Sequence, residues 1–152
     1  MLNYLFKLFN FILKDMEYTI HQMFFHTPKE RLTSDEIEQV KEYGLVHFTR
    51  FENLDSIKEK GIVAGKHLCR SEKGCTWFCI AVPEKLSESL DSVHSKGERS
   101  SYDAYVIVRG LTDEQISELR INRYNDYVMY PHNMFTEDME CGHVDDLLKK
   151  IA

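Results

Sequence analysis

The chain is poor in the residues that mark several specialised classes. Among 152 residues there are 3 Pro, 7 Gly, 4 Cys and 1 Trp, which excludes collagen-like and low-complexity chains. Cys69, Cys75, Cys79 and Cys141 show no C-x-x-C spacing. They are expected to be reduced thiols, and Cys75 and Cys79 lie in an apolar run that suits a buried strand better than a zinc site, so no metal is expected. Cationic charge is scarce as well, with 19 Lys+Arg against 25 Asp+Glu and a formal net charge of −6. The shortage is spread along the chain: 4 basic against 3 acidic groups in 1–32, 9 against 12 in 33–98, and 6 against 10 in 99–152. No global field draws phosphate backbones to such a surface, so coating of duplex nucleic acid is not expected, while a local groove for a single strand stays open. No apolar run is long enough to span a bilayer. The first apolar stretch is followed by Asp15 and Glu17 rather than by a small-residue cleavage site, so a signal peptide is not expected and a cytoplasmic setting is.

Apolar side chains, by contrast, are plentiful. Hydrophobic residues make up 43% and aromatics 12%, enough for one domain with a sizeable core. In Leu2 to Lys14 the polar residues Asn3, Lys7, Asn10 and Lys14 form one narrow helical stripe in an otherwise apolar segment. Such a helix must cover itself with the rest of the protein, a partner or a membrane surface. Residues 1–44 are read as an N-terminal helical extension packed on the domain and 45–152 as the domain itself. Thr33-Ser34-Asp35-Glu36 is a capping box opening a helix that Gly44 ends.

From Leu45 the pattern changes. Leu45 to Thr49 reads as strand, Asn53 to Lys60 as helix closed by Gly61, and Cys75 to Val82 as strand. Pro83 opens a helix with Leu86, Leu90 and Val93 on one side. Ala104 to Arg109 is strand by its β-branched content, and Thr112-Asp113-Glu114-Gln115 caps another helix. Tyr127 to Tyr130 is a short strand and Val144 to Ile151 a last helix. The sum is a mixed α+β domain.

The segment Val46-His47-Phe48-Thr49-Arg50-Phe51-Glu52-Asn53 … Gly61-Ile62 carries the chemistry. It reads as strand, tight turn, short helix and glycine cap. Alternation puts His47 and Thr49 on one face of the strand, with Val46 and Phe48 facing the core. Two hydrogen-bonding side chains at a strand end suit a polar planar ligand; a satisfied interior histidine is the other reading of the same pattern.

His47-Phe48-Thr49, Asn53-Leu54, Ser56-Ile57 and Gly61-Ile62 resemble the opening signature of DarT-type ADP-ribosyltransferases, and are similar to the start of tRNA 2′-phosphotransferases, which share the ADP-ribosyltransferase-like fold. The resemblance implies a split, mostly antiparallel mixed sheet with flanking helices, holding NAD in a cleft. It implies that His47 contacts the nicotinamide ribose, that Thr49 and Asn53 help hold that end of NAD, and that Arg70 meets the pyrophosphate. Cleavage of the nicotinamide–ribose bond develops oxocarbenium-like charge, so a carboxylate is also expected. In such enzymes it is a Glu near the chain end. Thr136-Glu137-Asp138-Met139-Glu140-Cys141-Gly142-His143-Val144 occupies that place, and Glu137 fits the ending better than Glu140, although the residues after it do not form the expected apolar strand and a solvated acidic turn reads equally from them. Tyr102 or Tyr105 could stack on nicotinamide, and His132 or His143 could assist near the carboxylate. Trp77 and Phe78 read as core.

The resemblance implies a mono-ADP-ribosyltransferase that releases nicotinamide and passes ADP-ribose to a macromolecular acceptor, a protein or single-stranded nucleic acid, in the setting of a toxin, a phage or host conflict factor or an effector. Two alternatives accompany it. A non-catalytic binding or inhibitor protein could use the same scaffold. An RNA 2′-phosphotransferase would need more basic residues than Arg50, Lys66, Arg70 and Lys73 supply around the motif.

Overall fold

The computed structural model describes residues 29–64, 75–95, 102–123 and 126–151; the expectations for the 2–14 helix, Cys69 and Arg70 lie outside them. Two capping boxes set two of the helices. Thr33 accepts from the Glu36 amide at 3.3 Å while the Glu36 carboxylate accepts from the Thr33 amide at 2.8 Å, opening α1 (Ser34–Tyr43). Thr112 and Gln115 repeat the device before α4 (Asp113–Glu118), at 3.1 and 2.9 Å. The other helices among the described residues are α2 (Leu54–Lys60), α3 (Pro83–Ser95) and α5 (Val144–Ile151). Gly44 and Gly61 end α1 and α2 with φ of 82° and 80°. A Cβ at Gly44 would lie 2.4 Å from the Val108 carbonyl oxygen and one at Gly61 2.5 Å from that of Met134, so both turns need glycine for its torsion and for the close approach of a neighbouring backbone.

The described residues hold seven strands: β1 (Lys29–Glu30), β2 (Leu45–Thr49), β3 (Thr76–Ile80), β4 (Ala104–Arg109), β5 (Arg120–Asn122), β6 (Tyr127–Tyr130) and β7 (Asp138–His143). Their spatial order is β1-β5-β6-β3-β2-β4-β7. A mixed sheet was expected; every ladder among the described strands is antiparallel. The sheet is nearly divided. β2 pairs β4 from Leu45 to Thr49, and β4 pairs β7 along its whole length, but β2 meets β3 only at Leu45↔Ile80 and Val46↔Cys79. One half is β1-β5-β6-β3 and the other β2-β4-β7, joined along that short seam.

Both faces are covered, which makes an α+β sandwich of three layers. On one face Val40, Leu54 and Ile57 from α1 and α2 pack with Leu45, Val106, Phe78, Ile80 and Val128. On the other, Leu86 and Leu90 of α3 and Val144 and Leu147 of α5 pack with Val46, Tyr105 and Ile107. Each fully buried leucine of the kind of Leu90, at 0% exposure, is worth about 1.5–3 kcal/mol relative to an exposed one. Of the N-terminal segment 1–44, residues 29–44 are described: Lys29 and Glu30 pair with β5, and Val40 belongs to the core. Arg123 ties this segment down by pairing with Glu30 and Glu36 and donating to the Arg31 carbonyl at 3.4 Å.

Candidate functional site

The alternation of β2 decides what its two polar side chains can reach. Leu45, His47 and Thr49 point to the face that carries the larger core, and Val46 and Phe48 to the opposite face, where they pack on the smaller one. His47 therefore sits just past the seam, where β2 parts from β3. Its Nδ1 lies 2.8 Å from the Trp77 carbonyl oxygen, so a side chain spans the gap where a backbone ladder would otherwise continue. A carbonyl only accepts, which places the hydrogen on Nδ1 and leaves Nε2 as a lone-pair acceptor in the neutral ring. Burial lowers the pKa of His47, partly opposed by the Trp77 carbonyl, and this keeps the ring neutral at physiological pH. The Phe78 ring flanks it, tilted, at 5.9 Å between centroids.

Two residues further on, Thr49 is 6% exposed and accepts a 3.1 Å hydrogen bond from the Asn53 amide nitrogen. Asn53 is exposed at the end of the short 3-10 turn Phe51–Asn53 that leads into α2. The bond between them leaves the Asn53 side-chain carbonyl as an acceptor and the Thr49 hydroxyl as a donor for another group. On β3, Thr76, 2% exposed, donates to the His132 carbonyl at 3.3 Å. The structure thus groups His47, Thr49 and Asn53 at one end of the divided sheet, next to the Trp77 carbonyl.

The two candidate carboxylates are placed elsewhere. Glu137 is exposed and precedes β7, whose first residue, Asp138, lies opposite Arg109. His47 lies opposite Val106, itself opposite Cys141. Glu137 is therefore four residues along and two strands across from His47, about 17 Å in ordinary sheet geometry. A glutamate side chain does not bridge that distance. Glu140 shares its face with Ile107 and Val46, the face opposite to His47. There it accepts from Tyr105 Oη at 3.0 Å, Arg109 Nη1 at 3.1 Å and Lys150 Nζ at 2.6 Å. These donors, Lys150 foremost, outweigh desolvation and bring its pKa down to about 2. A carboxylate so fully engaged is a clamp between β4, β7 and α5 rather than a base. The segment is a strand and not an acidic turn: as the outermost strand of its half it tolerates polar residues on one side while Met139 and Cys141 pack inward.

Tyr105 is buried and committed to Glu140, its hydroxyl pKa raised by burial and by that carboxylate, while Tyr102 is 51% exposed. His132 pairs with Glu118 at 2.7 Å on the half that holds β6, and His143 stacks flat on Phe51, 4.0 Å between centroids and 2° between planes. Neither pairing is visible in local sequence pattern, since the partners are distant along the chain. Among the described residues no group of three or more His, Cys, Asp or Glu side chains could hold a metal ion, and no helix among them is long and apolar enough to cross a membrane. Comparison with family models, with curated proteins and with solved structures finds no match for this chain.

Proposed function

We propose that the chain is an NAD-dependent mono-ADP-ribosyltransferase, cleaving the nicotinamide–ribose bond and passing ADP-ribose to a protein or single-stranded nucleic acid acceptor. One observation carries this reading: His47 lies where the sheet divides, its tautomer fixed by the Trp77 carbonyl and its Nε2 lone pair left to accept from a ribose hydroxyl. Thr49 and Asn53, the two motif residues that the resemblance gives to the same end of NAD, stand bonded to each other beside it. The near-division of the sheet supports the same reading, because the resemblance implies a split sheet. Burial of the ring favours the neutral acceptor form.

A second reading has its own support. Glu137 and Glu140 both stand away from His47, which favours a protein that binds NAD or a related ligand without turning it over. Titration calorimetry with NAD, followed by mass spectrometry for an ADP-ribose adduct and for released nicotinamide, separates the two. Binding with turnover, both lost in His47→Ala, is the expected result. Binding without turnover selects the non-catalytic reading, and absence of binding rejects both.

A further inference from the structure

The turn that carries Asn53 has little of its own to hold it. Arg50 and Asn53, at the two ends of the 3-10 segment, make no side-chain cap hydrogen bond, and the Arg50–Glu52 ion pair at 3.5 Å joins two side chains that are 57% and 72% exposed, a contact of small net value. Internally the turn has the Asn53 backbone amide donating to the Arg50 carbonyl at 3.0 Å, the Leu54 amide donating to the Phe51 carbonyl, and the side-chain bond from Asn53 to Thr49. Its anchors come from elsewhere. The Phe51 amide donates to Asp103 Oδ1 at 2.7 Å. The Phe51 ring, 47% exposed, lies flat on His143. The two anchors are themselves linked: the Asp103 carbonyl accepts from the Val144 amide at 3.0 Å, next to His143, where β7 passes into α5. One clamp built from the approach to β4 and the end of β7 thus grips the middle of the turn.

The geometry points to Asp103 and His143 as positioning residues for the NAD site, acting through Phe51 to hold Thr49 and Asn53 in register with His47. The inference rests on the NAD reading above for its ligand, but not for its mechanical content. Neither residue is asked to touch NAD. An exposed aromatic stack and one hydrogen bond set how much of the time the turn is competent, and apparent affinity falls by the fraction of competence lost. Removing either anchor should weaken binding by about 3- to 10-fold, the range an exposed aromatic pair supports.

Four full-length variants test this. His143→Ala and Asp103→Ala remove an anchor; His143→Phe keeps a stacking ring and Asp103→Asn keeps a carbonyl acceptor. NAD affinity by calorimetry is read beside amide hydrogen exchange at residues 50–53 and the midpoint of thermal unfolding. The alanine variants should exchange faster at 50–53 and bind NAD about 3- to 10-fold more weakly, with the unfolding midpoint little changed, while the conservative pair restores both properties. Unchanged exchange at 50–53 in the alanine variants overturns the inference, as does failure of the conservative pair to restore it. If the parent chain binds NAD and the alanine variants bind it equally well, the inference fails and the transferase reading survives. If the parent chain binds no NAD, the transferase reading fails, and the exchange data alone decide whether the clamp exists.

Discussion

Replacing Glu140 by glutamine tests whether that carboxylate is a structural clamp. In the native protein it accepts from Tyr105, Arg109 and Lys150, and its pKa is lowered from 4.5 to about 2. A shift of that size corresponds to a ceiling of about 3 kcal/mol at neutral pH. The side chain is 31% exposed, so solvent screening reduces this to roughly 1–2 kcal/mol. The sign follows from linkage: the folded state holds the ionised form more tightly than the unfolded chain, so the stabilisation is fully present above pH 4.5 and is lost as pH falls towards 2. Urea unfolding of the parent chain and of Glu140→Gln at a series of pH values is the assay. At pH 7 the variant should be less stable by roughly 1–2 kcal/mol, and the two curves should converge as the acid range is entered. A gap that is independent of pH, or no gap at pH 7, would refute the reasoning. Retention of NAD affinity by this variant would fit the placement of Glu140 on the face opposite His47.

Other expectations follow from single contacts. His47→Ala should abolish NAD binding in calorimetry, whereas Glu137→Gln should leave affinity within about 2-fold, since Glu137 stands about 17 Å away in ordinary sheet geometry. Gly61→Ala places a Cβ 2.5 Å from the Met134 carbonyl oxygen at a φ of 80° and should cost about 3 kcal/mol or more in urea unfolding. Thr112→Ala removes one half of a capping box and should cost about 1 kcal/mol by the same measure.

Much of the fold was legible from pattern alone because its signals are local. The β-branched run Ala104–Arg109, the short strand Tyr127–Tyr130 and the helix Val144–Ile151 have the bounds that periodicity and composition suggest, and both capping boxes form as their spacing implies. β5 escaped because Arg-Ile-Asn offers a single apolar side chain, and β7 because Asp-Met-Glu reads as solvated until β4 is known to lie beside it. The grouping of Thr49 with Asn53 follows from a spacing of four and was within reach of sequence. The capture of Glu140 by Tyr105, Arg109 and Lys150, and of Phe51 by His143, depends on how distant strands register, which local residues do not encode. The near-division of the sheet has the same origin, since nothing in the residues of β2 or β3 announces that their pairing stops after two positions.

Where two neighbouring strands separate, each acquires a rim of backbone N–H and C=O groups that the other no longer satisfies and that need another partner. In this chain a ring nitrogen serves one of them, the carbonyl of Trp77. The imidazole is therefore masonry whatever it binds: taking it out would leave that oxygen without its ring partner, a loss that falls on the fold itself.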